Sequence, residues 1–233
     1  MTTGSPAAGV RPYDVITFDC YGTLIDWAGG IRGAFEVAAR ADGVRVDLDD
    51  LMGVYLTVEP EVETGPYQRY RDVLAQTARG VAARLGWPLD PARASFLADS
   101  VPGWRPFPDT NPALERLARA GYRLAILSNI DDDLLVATRR HFTVDFEFVV
   151  TAQQVQSYKP GRPHFDAGRA RVAGRRWLHA AQSYFHDIIP ARTLGVPTAW
   201  INRTRERPSD GGRPDRELHT LAELADWLAP GCG

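Results

Sequence analysis

A chain of 233 residues with 44% hydrophobic and 24% charged residues is ordinary globular composition, which excludes wholesale disorder and suits one large domain or a core of about 150 residues with a smaller insert. Its 27 basic and 29 acidic residues leave a net charge of −2, which gives no electrostatic footprint for nucleic acid or anionic lipid. No apolar run reaches the ~18 residues of a membrane helix, and Cys20 and Cys232 cannot alone build a disulfide framework or a zinc site, so a cytoplasmic protein is expected.

Residues 1–12 are small, polar and Pro-containing, and read as a flexible leader. Residues 13–19 form a β-branched and aromatic run that ends in Asp19 and meets Tyr21-Gly22-Thr23, the pattern of a buried strand entering a tight turn. From residue 27 to 104 no strand pattern occurs. Helical periodicity covers 31–41, 48–63, 67–85 and 91–100, punctuated by Gly65-Pro66 and Trp87-Pro88. The segment from Trp104 to Pro108 is expected to be the hinge back to the sheet. Strand patterns then recur at 122–128, 146–151, 177–181 and 196–201, alternating with helical stretches at 111–120, 131–141, 163–173 and 187–194. Gly121 and Gly195 stand where C-cap glycines belong. Residues 202–216 read as an exposed loop and 217–228 as a closing helix. The prediction is an α/β fold: a Rossmann-like parallel sheet core built from 13–26 and 105–233, with an inserted all-helical cap over 27–104.

Of the 27 basic residues, 26 are Arg and one, Lys159, is Lys. Where Arg serves as the default cation, a retained Lys suggests chemistry that needs a compact ammonium. Open parallel sheets bind ligands beyond the carboxyl ends of their strands. Asp19, Ser128-Asn129, Lys159 and the segment from Ser183 to Asp187 all fall there. An Asp ending a strand is often a helix cap and Ser-Asn is often turn chemistry, but together these groups converge on one crevice.

The motifs FDCYGTLID (18–26), LSNI (127–130), SYKPGRPHF (157–165) and AQSYFHDIIPAR (181–192) resemble, in order, those of the haloacid dehalogenase superfamily, and most nearly its 2-haloacid dehalogenase branch. The resemblance implies an aspartate nucleophile at Asp19 that forms a covalent ester. It implies that Thr23 and Ser128 hydrogen-bond the reacting groups, that Lys159 orients and neutralises Asp19, and that Asp187 pairs with Lys159 or positions water. Tyr21, Asn129, Ser183 and Tyr184 would line the substrate site. Superfamily phosphatases place an acidic Asp two residues beyond the nucleophile and a metal-binding Asp in the last motif; this chain has Tyr21 and Gln182 there. The reading is therefore hydrolysis without a cofactor or metal. A substituent, a halide foremost, leaves C2 of a small carboxylic acid, giving a 2-hydroxy acid. The alternatives are a Mg²⁺-dependent phosphatase, ring opening of a small cyclic 2-carboxylate, and a non-catalytic binding protein. The only partners expected are the small carboxylate substrate and, through apolar cap faces, a second copy in a homodimer.

The chain also departs from the branch it resembles. Tyr184 replaces an Asn, Phe165 replaces a Tyr, and the cap offers Glu59, Glu61 and Glu63 where an Arg over the halide would be expected. Arg69 and Arg71 are the candidate substitutes. Trp27, Tyr55, Tyr67 and Tyr70 are candidate pocket aromatics, and His186 a candidate crevice residue.

Overall fold

The computed structural model describes residues 11–231. Most of the expected leader, and Cys232, lie outside them. The elements run β1 (Val15–Phe18), α1 (Trp27–Ala41), α2 (Leu48–Glu63), α3 (Tyr70–Arg84), α4 (Phe96–Ser100), α5 (Thr110–Arg119), β2 (Arg123–Ser128), α6 (Asp132–Thr138), β3 (Phe148–Thr151), α7 (Ala152–Val155), α8 (Pro163–Val172), β4 (Trp177–Ala181), α9 (Ile189–Thr193), β5 (Thr198–Ile201), β6 (Arg216–Leu218) and α10 (Leu221–Leu228). No described helix is long and apolar enough to cross a membrane.

The six strands form one parallel sheet in the order β3-β2-β1-β4-β5-β6. Strands buried on both faces read as continuous apolar runs, and β1 (VITF) and β4 (WLHAA) are buried throughout. Alternation divides them between two cores. Ile16, Phe18 and Ile126 face α5 and α10, whereas Val15, Ala125 and Leu127 pack with Phe165 of α8 and Ala191 of α9. β1 lies between β2 and β4, so the chain crosses over in opposite directions from it. The carboxyl end of β1 is therefore the topological switch point, where a crevice opens.

Helices α1 to α4 all fall between β1 and β2 in the chain. The two crossings to and from them lie side by side: Asp26 N donates to Arg105 O at 2.9 Å, and Ile25 bridges Pro106. Gly30 of α1 is required here, since a Cβ would lie 2.3 Å from the Trp104 ring. α3 starts at Tyr70 instead of Tyr67 because its cap comes from elsewhere in the chain. Asp131, just beyond β2 and fully buried, accepts from Tyr70 N at 3.1 Å and from Arg71 N at 3.0 Å. A side chain of the sheet layer thus satisfies the open N–H groups of a helix in the inserted layer.

Two expectations need correction. The segment 217–228 is not one helix: Arg216–Leu218 forms β6 beside β5, with Ile201 opposite Leu218. Thr220 then starts α10, its Oγ1 accepting from Glu223 N at 3.1 Å. The helix expected over 187–194 begins earlier, as a wide π-type turn over Tyr184–Ile188, with Ser183 Oγ accepting from His186 N at 3.1 Å.

Replacing Asp131 by Ala removes both cap bonds to α3. The expected outcome is a loss of about 1–2 kcal/mol in urea unfolding, with α3 the first helix to lose hydrogen-exchange protection.

Candidate active site

β1 delivers Asp19 to the switch point, where both of its carboxylate oxygens are held. Thr23 Oγ1 donates to Oδ2 at 3.0 Å and Lys159 Nζ donates to Oδ1 at 2.9 Å. Thr23 can reach back four residues because the turn closes tightly, Leu24 N and Ile25 N both donating to Cys20 O. Gly22 in this turn has φ +94°, and a Cβ there would lie 2.9 Å from Trp27 Nε1, so the position demands glycine. Cys20 is buried in packing.

Lys159 comes from the loop beyond β3 and is 2% exposed. Its ammonium makes three hydrogen bonds, to Asp19 Oδ1 at 2.9 Å, Leu127 O at 2.9 Å and Asp187 Oδ1 at 2.6 Å. Three donors meet three acceptors around one nitrogen, a geometry that a planar guanidinium cannot reproduce. This is why the single Lys of an Arg-rich chain stands here. Asn129 pins the loop through both ends of its amide, accepting from Lys159 N at 2.7 Å and donating to Lys159 O at 3.1 Å.

Burial disfavours the ionised form of Asp187, but Lys159 and His179 outweigh it and hold its carboxyl at about 2. For Asp19, burial comes first and the like charge of Asp187 adds to it; Lys159 opposes both, and the net direction is upward from the ordinary carboxylate range. Burial works against the Lys159 ammonium, yet its two carboxylate neighbours raise it, so it stays charged.

His179 carries a role that its place in the sequence does not announce. It sits mid-strand in β4, directly opposite Thr17 of β1. Its Nε2 lies 2.9 Å from Asp187 Oδ1 and its Nδ1 lies 2.8 Å from Thr17 Oγ1, which also accepts from Trp177 Nε1 at 2.8 Å. With Asp187 ionised, Nε2 is the donor on that side. Phe165 packs edge-on against the ring at 5.3 Å, which explains an apolar residue at that position. The legible signal was a His–Thr pair in two otherwise apolar strands.

The remaining expected residues divide by what their polar atoms do. Ser128 is 1% exposed, lines the cavity over Asp19, and its Oγ has no partner. Tyr21 also lines the cavity, but its hydroxyl bonds Thr138 Oγ1 at 2.8 Å. Ser183 caps the turn that follows, with His186 Nδ1 3.0 Å from its Oγ. Tyr184 turns its hydroxyl to Asp210 at 2.8 Å and so does not supply the donor of the Asn it replaces.

The cavity has a volume of about 330 Å³. Asp19, Ser128, Lys159 and Asp187 line its sheet side; Trp27, Glu59, Glu63, Tyr70 and Trp104 line the other. Tyr67 stands at an adjoining opening, and Tyr55 is buried behind the wall. Neither Arg69 nor Arg71 is among the described residues of this lining. Arg69 pairs with Asp133 at 3.0 Å, and Arg71 with Asp133 at 2.7 Å and Asp99 at 3.2 Å. Both are drawn away from the cavity by the aspartates that begin α6 and lie on α4. Tyr55 and Tyr70 both donate to Glu59 Oε1, each at 2.7 Å. Burial, then the neighbouring Glu59, pushes Glu63 up to about 8.

A family described as haloacid dehalogenase-like hydrolase matches residues 13–195. The (S)-2-haloacid dehalogenase H-109 of Pseudomonas putida is 28% identical over 94% of this chain and 99% of its own length. The (S)-2-haloacid dehalogenase of Pseudomonas sp. (strain YL) is 29% identical over 94% of this chain and 95% of its own. Among solved structures, a dehalogenase superposes with a TM-score of 0.81 at 22% identity, covering 97% of this chain and 100% of that one. The L-2-haloacid dehalogenase of Xanthobacter autotrophicus with chloropropionic acid covalently bound superposes with a TM-score of 0.78 at 19% identity, over 94% and 99% of the two chains.

Replacing His179 by Leu deletes a charge-assisted donor and is expected to lower stability by about 1.5–3 kcal/mol at pH 7. The carboxyl of Asp187 is depressed to about 2, so the stability it supplies is complete above its ordinary 3.8 and lost as pH falls toward 2. Without His179 the carboxyl is depressed less, so the variant loses less stability than the parent as pH falls below 3.8, which urea midpoints measured between pH 6 and pH 3 detect.

Proposed function

Because the chain belongs to the haloacid dehalogenase-like hydrolases, we propose that it displaces a substituent, foremost a halide, from C2 of a small 2-substituted carboxylic acid through an ester of Asp19, releasing a 2-hydroxy acid. The observation that carries this reading is the bonding of Asp19: one oxygen on Lys159 Nζ at 2.9 Å, the other on Thr23 Oγ1 at 3.0 Å, at the floor of a cavity closed by helices α1 to α3.

An Asp19 oxygen attacks C2 in line with the leaving group, forming a C–O bond as the carbon–halogen bond breaks. The halide departs as an anion and needs no proton. Whichever oxygen becomes the ester carbonyl already has a donor beside it, Lys159 or Thr23. When water attacks that carbonyl carbon, the same donor stabilises the developing negative charge. The Asp19 acyl C–O bond then breaks, the 2-oxygen leaves with one water proton as the hydroxyl of the 2-hydroxy acid, the other proton passes to solvent, and the Asp19 carboxylate is restored. Asp187 anchors the ammonium through the exchange of charge at Asp19, and His179 anchors Asp187. Helices α1 to α4 act as the cap that encloses the substrate.

The (S)-2-haloacid dehalogenases similar to this chain over nearly their whole length support the same substrate class. Phosphate transfer is not favoured. Tyr21, whose hydroxyl is committed to Thr138, stands in place of a leaving-group acid, and Gln182 offers a neutral amide in place of a carboxylate for Mg²⁺. Ring opening would use the same nucleophile but has no separate observation behind it. A binding-only role leaves the saturated ammonium beside Asp19 without a purpose.

A single turnover of 2-chloropropionate in ¹⁸O water is expected to place label in the Asp19 peptide and none in the first product released. Label in the first product alone would reject the covalent step. Chloride release should be unchanged by EDTA. Lys159→Arg should reduce kcat by at least about 10³. Since the Asp19 carboxyl is raised, the acid limb of kcat/KM should lie above pH 3.8, activity being lost as pH falls through it.

A further inference from the structure

The cavity over Asp19 has a charge balance that the displacement itself does not use. Five carboxyl groups line it, from Asp19, Asp187, Glu59, Glu63 and Glu206. The described basic residues of the lining are Lys159 and His186, and all three donors of Lys159 are already committed within the site. A plain carboxylate substrate therefore finds no cation on the cap side of the cavity, among the described residues.

Glu59 and Glu63 lie four residues apart on α2, so both project over one stretch of helix surface. The hydroxyls of Tyr55 and Tyr70 point their hydrogens at Glu59 Oε1, which fixes that carboxyl and leaves the tyrosines with no proton to offer a ligand. The cap wall is thus an acceptor surface. Opposite it, Ser128 Oγ is buried without a partner and faces the same cavity, an independent polar group awaiting a ligand. Two close carboxyls in a half-buried wall stay ionised together only when a cation joins them.

We infer that the cap wall is a subsite for an ammonium group, and that the substrate is a small 2-substituted carboxylic acid whose far end carries that cation between Glu59 and Glu63. This deepens the displacement reading and rests on it. A cation of this kind draws Glu59 and Glu63 into their ionised forms together, and the tail that carries it fixes C2 over Asp19. The bonds made and broken at Asp19 are unchanged.

Two hydroxy acids of equal chain length separate the possibilities: 2-hydroxybutyrate and 4-amino-2-hydroxybutyrate, titrated into the intact protein by calorimetry. The amino compound is expected to bind at least about tenfold more tightly. Glu59→Gln and Glu63→Gln should each collapse that ratio to within about threefold, with thermal melts confirming a folded protein. Equal or weaker binding of the amino compound by the unmodified protein overturns the inference, as does a preference that survives both substitutions. If a variant does not fold, the ratio in the unmodified protein decides alone. The displacement reading fails separately, by absence of chloride release from both 2-chlorobutyrate and 4-amino-2-chlorobutyrate, and that result leaves the binding ratio intact.

Discussion

The arrangement of the site depends on one buried ammonium. Lys159 Nζ joins the residue after β1, the last-but-one carbonyl of β2 and a side chain beyond β4, with the lysine itself arriving from beyond β3. Four strand ends therefore meet at one nitrogen. A buried ion pair is weak evidence for stability, because removing its charges from water costs several kcal/mol per ion in practice. Here one cation faces two carboxylates, so the cluster keeps an unbalanced negative charge inside the fold. An apolar core raises that cost, and donors from Thr23, Lys159 and His179 offset it at the two carboxylates. On the proposed reading the value of the cluster lies in holding and aiming Asp19, which is a requirement of chemistry and not of folding.

The short segment after β2 links that chemistry to the helical layer. Leu127 supplies the carbonyl for Lys159, Ser128 the unpartnered hydroxyl, Asn129 the clamp on the lysine backbone, and Asp131 the cap of α3. Tyr158, next to the lysine, donates to Gln68 O at 2.8 Å, which ties the same loop to the turn before α3. The start of α3 and the loop that carries Lys159 are thus joined by hydrogen bonds that involve this one segment and its neighbour Tyr158.

Much of this was legible in the residues. β1 to β5 are continuous apolar runs, the kind of strand a sheet covered on both faces selects, and α2 coincides with its expected span of 48–63 despite Pro60. Asp19, Ser128, Lys159 and Asp187 could be singled out because polar residues closing apolar strands must lie on one edge of a parallel sheet. β6 was hidden because three residues carry no periodicity and only the partner β5 makes them a strand. The start of α3 was hidden because Asp131 lies some sixty residues away. His179 was hidden for a similar reason: its meaning arises from the register of β1 against β4, which sets Thr17 opposite it. Arg69 and Arg71 looked like candidate anion binders until the aspartates at 99, 131 and 133 were placed beside them.

The same placement bears on how a leaving group is handled. With no arginine among the described residues of the lining, the buried hydroxyl there without a partner, that of Ser128, is a neutral donor. Hydrogen bonds from neutral donors are about half as strong as charge-assisted ones. In the proposed displacement the departing atom therefore receives less help than Asp19, where Lys159 and Thr23 are fixed. On the cap side, Glu59 is held by the hydroxyls of Tyr55 and Tyr70. On that proposal the sheet layer carries the reaction and the helical layer faces the body of the substrate.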